Sequence, residues 1–90
     1  MKKEEIFMEV KLPLSGTAEV IEAKGMHYFT AMSKAKGDSG LLIKHLIIEL
    51  VRIDKKKMTE KIVDDMHLRD INYLSSVINT MMSDDFSNGI

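Results

Sequence analysis

Histidines and aspartates are the residues of this chain whose types could hold a metal ion. His67 lies close to Asp64, Asp65 and Asp70, and neutral imidazole with carboxylates can bind a divalent cation. Acidic residues at a helix start, however, more often cap and solvate it. None of the three histidines stands in a known ligand motif. The sequence therefore predicts no metal site and no cofactor.

Catalytic patterns give no better support. The stretch from Gly37 to Gly40 precedes a predicted helix, but it lacks the spacing and the lysine–hydroxyl pair of a phosphate-binding loop. The serines have no surrounding nucleophile motif with a base and an orienting acid. The chain has no cysteine, which excludes thiolate zinc sites and cysteine nucleophiles. We expect a protein that is not an enzyme.

The charge balance argues against nucleic acid as the main partner. Lysine and arginine total 13, aspartate and glutamate total 14, and the net charge is −1, whereas nucleic-acid binders usually carry a basic excess. Lys55, Lys56 and Lys57 form a local basic run that reads as a solvated loop. Helices near 41–53, 59–65 and 68–82 could imitate a helix-turn-helix, so a small DNA-binding regulator remains the alternative function.

The elements begin with a predicted β-hairpin over residues 6–23. Residues 6–14 alternate between apolar and other side chains with a period of two, as in a half-buried strand. Pro13 suits a strand end, and Ser15-Gly16 is a turn signal. A second β-compatible segment follows, centred on Val20 and Ile21. Because an isolated hairpin is marginal in water, other elements must cover its apolar face.

Gly25 marks a change to helical periodicity. Helices are predicted near 26–35, 41–53 and 68–82, with a short helical turn at 59–65. The two longest should bury a shared stripe consisting of Leu46, Leu50, Ile71, Leu74 and Ile78. The predicted fold is α+β, an N-terminal β-hairpin packed against a bundle of about three helices. Residues 1–83 form one domain, and residues 84–90 form a flexible C-terminal tail.

Methionine is unusually frequent, with seven residues after Met1. Unbranched thioether side chains fill irregular core gaps, and they also adapt to varied apolar partners. Seven exceed what a core of this size needs as filler. We expect an exposed apolar patch that binds partners and includes some of Met26, Met32, Met58, Met66, Met81 and Met82.

No segment predicts membrane insertion or export. The apolar stretch from Leu41 to Val51 is interrupted by charged residues and is too short to span a bilayer. The charged N-terminus leads into only a short apolar run, unlike a signal peptide. The expected location is the cytoplasm.

Two stretches of the chain resemble a known family. One is the opening strand and turn Val10-Lys11-Leu12-Pro13-Leu14-Ser15-Gly16. The other is the late helix start from Leu68 through Asp70 to Leu74, with one shift in spacing. In these stretches, in length and in the order of elements, residues 6–82 resemble the small tail assembly chaperones of Mu-like and P2-like long-tailed phages.

The resemblance implies a role without catalytic residues. Such a chaperone binds the long helical tape-measure protein, keeps it soluble and helps tail-tube subunits assemble around it. The expected partners are therefore the tape-measure protein and tail-tube subunits, with a second copy of the domain as another. The expected location becomes the cytoplasm of a bacterial host cell.

Overall fold

The computed structural model describes residues 5–88, and the side chains of residues 5–83. Strands and helices follow in the order β1 (Ile6–Leu12), β2 (Gly16–Ile21), α1 (Gly25–Ala35), α2 (Ser39–Leu50), β3 (Val51–Ile53), β4 (Lys56–Lys57), α3 (Glu60–Asp65) and α4 (Leu68–Asn88). This arrangement confirms the predicted α+β class, with an N-terminal antiparallel hairpin followed by helices.

The β1–β2 hairpin has the predicted turn and an unpredicted bulge. Its partners run from Leu12 opposite Gly16 to Ile6 opposite Ile21. Gly16 has a φ of +86°, a backbone conformation that costs glycine little. The register shifts between Ile6 and Met8, so one extra residue lies in β1 there. Phe7, at this bulge, packs against the core. Ile6 and Met8, on either side of it, are exposed.

The sheet is larger than the sequence predicts. Residues 51–53, predicted as the end of the second helix, form β3, which pairs antiparallel with β2. The predicted loop after it is a tight hairpin, with β4 pairing back onto β3. The turn residues Asp54 and Lys55 have φ of +54° and +64°, as a two-residue type I′ turn requires. The helix prediction was wrong here because β2 offers an edge to pair with, and local periodicity does not report that edge.

The core is a single cluster in which α2 is central. Helix α2 contacts α1, α3 and α4, and it leads directly into β3. Of the five residues predicted to be buried together, four are buried: Leu46, Leu50, Leu74 and Ile78. Ile71 is half-buried and packs against the same cluster. The predicted buried stripe shared by the two longest helices is therefore confirmed for these four residues, and Ile71 lies at its margin.

Helix α4 runs further than expected. Its backbone is helical to Asn88, beyond the predicted end at residue 82. The predicted flexible tail, residues 84–90, thus begins within this helix. Its flexibility stays a prediction, and residues 89–90 lie outside the described part of the chain. Among residues 5–88, no helix combines the length and the apolar content that crossing a bilayer requires.

A buried carboxylate ties the hairpin turn to the start of α4. The Asp70 side chain is fully buried. Its Oδ1 accepts a hydrogen bond of 2.9 Å from the Leu14 backbone N–H, and its Oδ2 accepts one from the Ser15 hydroxyl. These bonds join residues more than fifty positions apart in the sequence. Asp70 therefore orients the β1–β2 hairpin on the helices.

Leu46 provides the first test of this packing. Replacing it in Leu46→Ala removes buried methyl groups and leaves a cavity, which should lower the free energy of unfolding by about 2–5 kcal/mol. Leu41→Ala, at a side chain 40% exposed on the same helix, should cost below about 1 kcal/mol. Chemical denaturation of both variants measures the difference. Equal losses would contradict the described core.

Asp70 provides the second test. Asp70→Ala leaves the Leu14 N–H without its partner and should lower the free energy of unfolding by about 1–3 kcal/mol. Ser15→Ala removes only one of the two bonds and should cost less. Asn72→Ala, at an exposed position of the same helix, is the control and should cost within about 0.5 kcal/mol. If Asp70→Ala behaves like this control in thermal or chemical unfolding, the described contact is absent in solution.

Candidate protein-binding surface

Helix α1 has a side-chain capping contact at its start and a left-handed backbone conformation at its end. At its start the His27 Nδ1 accepts a hydrogen bond of 2.9 Å from the backbone N–H of Lys24, so the side chain covers a group that the helix leaves unpaired. At its end Lys36 and Gly37 both have positive φ, +51° and +86°, a frequent way for helices to stop. These features set where α1 begins and ends, and α2 is its main neighbour.

The side chains of α1 are distributed in an unusual way. Its two buried residues are the small Ala31 and Ala35, four positions apart on one face. Three of its large apolar residues point away from the core: Met26 and Phe29 are each 67% exposed, and Met32 is 46% exposed. Tyr28 alone among its large side chains packs against the core. A surface helix ordinarily turns its large apolar side chains inward. Helix α1 instead presents them to its surroundings.

A shallow pocket adjoins the exposed apolar stripe that Met26, Phe29 and Met32 form on α1. The pocket, of about 170 Å³, lies between the end of α1 and the start of α2, and Met32, Ala35 and Leu42 supply its apolar lining. Asp38 lies at its edge, with Oδ1 accepting hydrogen bonds from Gly40 N at 2.8 Å and Leu41 N at 3.1 Å. We call Met26, Phe29, Met32 and Leu42 the α1 surface.

A second pocket lies on another side of α2, between α2, α3 and α4. It measures about 290 Å³, and its lining includes Ile43, Ile47, Met66 and Leu68. Lys44 also lines it, with Nζ 2.9 Å from the Asp64 carboxylate and 3.3 Å from that of Glu60. Since these acids already bind the amine, the pocket offers no free cation for an anionic ligand.

The ion pairs of Lys44 also shift its pKa. The hydrogen bond to Asp64 is the largest influence, and together with Glu60 it raises the pKa of Lys44 above its ordinary value of 10.5, against a smaller opposing effect of burial. A raised pKa means that the pairing stabilises the fold below the ordinary value and is lost as the pH rises through the folded value. The α2–α3 contact is therefore fully paired at neutral pH.

The structure separates the predicted methionines into three groups. Met26 and Met32 lie together on α1 and are exposed. Met66 is half-buried in the second pocket, and Met82 is 37% exposed on α4. Met58 and Met81 are buried in the core and cannot belong to an exposed patch. Met81 follows Leu74 and Ile78 on the same buried face of α4, one helical turn further along. Its burial follows from helical spacing, which a count of methionines does not take into account.

Phe29 and Leu42 belong to this surface, although the methionine count did not select them. The signal that could have found Phe29 was present, because Met26, Phe29 and Met32 recur every three residues while Ala31 and Ala35 occupy the other face. Leu42 gave no such signal. Leu42 belongs to the α1 surface because α1 packs beside α2, which brings it next to Met32 and Ala35 in the pocket.

The candidate metal residues do not converge. No group of three or more metal-ligating side chains occurs in the described part of the chain. Asp70 is bonded to the hairpin turn, while Asp64 is paired with Lys44. His45 is buried in α2, and its Nδ1 has no hydrogen-bond partner among the described residues.

The basic residues considered for nucleic acid also lie apart. Lys55, Lys56 and Lys57 are exposed on the β3–β4 hairpin, with Lys57 Nζ 3.9 Å from the Glu49 carboxylate. On α4, Arg69 is the lone lysine or arginine in the sequence of the helix. The remaining exposed polar side chains of α4 up to residue 83 are uncharged, a weak electrostatic basis for contacting phosphates.

Comparison with known protein families, curated proteins and solved structures finds no match to this chain.

Proposed function

We propose that this protein is a non-catalytic binding module that covers an apolar helical segment of a partner with its α1 surface. The observation that carries the proposal is the orientation of α1, which buries alanines and exposes Met26, Phe29 and Met32. Exposed apolar groups clustered on one face commonly mark an interaction site. Methionine and phenylalanine provide adaptable contact area of the kind that receives amphipathic helices.

The biological role that fits such a module is that of a phage or prophage tail assembly chaperone. The resemblance of residues 6–82 to that family supports it, and so does the need of a tape-measure protein to have its apolar helical surface covered before assembly. In this proposal the tape-measure protein is the partner, tail-tube subunits assemble around the complex, and the protein acts in the cytoplasm of the bacterial host.

Substituting the centre of the α1 surface tests the proposal. Burying a phenylalanine side chain contributes about 1.5–3 kcal/mol, so Phe29→Ser should weaken binding of a helical tape-measure fragment about 10- to 100-fold. The substitution alters an exposed side chain, so the fold should be retained. Isothermal titration calorimetry on the full chain measures both affinities.

The matched control is Tyr73→Ser, which removes an aromatic side chain 42% exposed on α4. Its affinity for the fragment should remain within about twofold, because α4 lies outside the α1 surface. Duplex DNA is titrated in parallel at low and high salt, since binding to phosphates weakens steeply with salt. Binding of DNA alone, and at low salt alone, would overturn the proposal in favour of a regulator.

A further inference from the structure

The charges around the α1 surface define the chemistry of its partner. Residues 23–37 contain three lysines, Lys24, Lys34 and Lys36, and no aspartate or glutamate. The chain as a whole has a net charge of −1, so this cluster does not follow from a general basic excess. A local concentration of one sign around an apolar stripe selects partners of the opposite sign.

These lysines are available to a partner. All three are exposed, and none forms an ion pair with the described side chains, in contrast to Lys44, Lys57 and Lys61 elsewhere. Lys24 lies at the start of α1, while Lys34 and Lys36 lie at its end. The apolar side chains of the stripe lie between them along the helix. Lys24 and Lys36 therefore place positive charge at the two ends of the stripe along the helix axis, whereas Lys34, two positions after Met32, lies on another side of the helix.

Two acidic residues border this region and offset part of its positive charge. Asp38 is engaged with the N–H groups that begin α2, and Glu22 is half-buried before α1. His27 Nδ1 accepts from the backbone of Lys24, so this ring is held at the helix start. Three lysines against these two acids leave residues 22–38 with a net charge of +1, so the border of the α1 surface is weakly positive.

We propose that the α1 surface selects an amphipathic helix whose apolar stripe is flanked by glutamate or aspartate. This inference rests on the proposed function and specifies the partner of the same surface. An anionic membrane would satisfy the same charges, but two features favour a helix. The apolar side chains are few for a stable membrane anchor, and the pocket beside Met32 and Leu42 suits an inserted side chain better than a flat bilayer.

Three synthetic helices of about 18 residues, five turns long, test the selectivity. They share one apolar stripe and differ in having glutamate, glutamine or lysine beside it. With the full chain, fluorescence anisotropy should rank affinities as glutamate, then glutamine, then lysine, spanning about tenfold at about 50 mM NaCl. At about 500 mM NaCl the span should shrink to about twofold, because salt screens exposed charges. The apolar contribution should persist.

Charge reversal locates the effect. The double substitution Lys24→Glu and Lys36→Glu should reverse the ranking, since both side chains are exposed at the ends of the stripe and their signs change. The matched control is Lys55→Glu with Lys56→Glu, at exposed lysines of the β3–β4 hairpin, and it should keep the original ranking. A ranking that follows the hairpin lysines instead would overturn the inference.

The remaining outcomes distinguish this inference from the proposed function. If the three peptides bind equally and Phe29→Ser weakens them all, the surface binds helices and the charge selectivity is wrong. If no peptide binds the protein, the proposed function fails together with the inference. Phosphatidylglycerol vesicles, with phosphatidylcholine vesicles as control, provide the last arm. Binding to the anionic vesicles without binding to any peptide would overturn the helix partner in favour of a membrane surface.

Discussion

The burial of α2 is the interaction on which the rest of this structure depends. Its buried residues, among them Leu46, Ile47 and Leu50, lie in one cluster with side chains from the sheet and the other helices. The helix touches α1, α3 and α4, and its chain passes without a loop into β3, which pairs with β2. A 90-residue chain has material for only one such centre. Helices α1, α3 and α4 pack on it directly, and the sheet is joined to it through β3.

Polar contacts then add orientation to that apolar core. Asp70 binds the hairpin turn to α4, and Lys44 binds α3 to α2 through Asp64. The first contact is partly buried, with the Asp70 side chain fully enclosed, and it links distant parts of the sequence. Breaking it leaves a polar group without its partner. The second is at the surface, where ion pairs contribute little. From the sequence, Asp70 was a candidate metal ligand. In this structure its carboxylate instead anchors the hairpin turn by hydrogen bonds.

Helix α1 differs from the other helices in which of its side chains it buries. Its contact with α2 uses alanines, which permit close approach but bury little apolar area. Its methionines and phenylalanine remain outside, with lysines at both ends of the helix. Exposed apolar area is a liability for a free chain, and the nearby lysines favour hydration of this face. The same arrangement makes the proposed interaction adaptable in its apolar part and selective in its charge.

The sequence by itself determined the class of the fold, the β1–β2 hairpin and the stripe from Leu46 to Ile78, because periods of two and 3.6 are local properties of the chain. Tertiary structure decided the rest. Val51 and Ile53 became a strand because β2 presents an unpaired edge. Asp70 became a hairpin anchor because the turn lies over the start of α4. Met58 and Met81 became core residues, whereas Met26 and Met32 stayed outside with Phe29, because exposure depends on which neighbours reach each side chain, and no count of residue types records those neighbours.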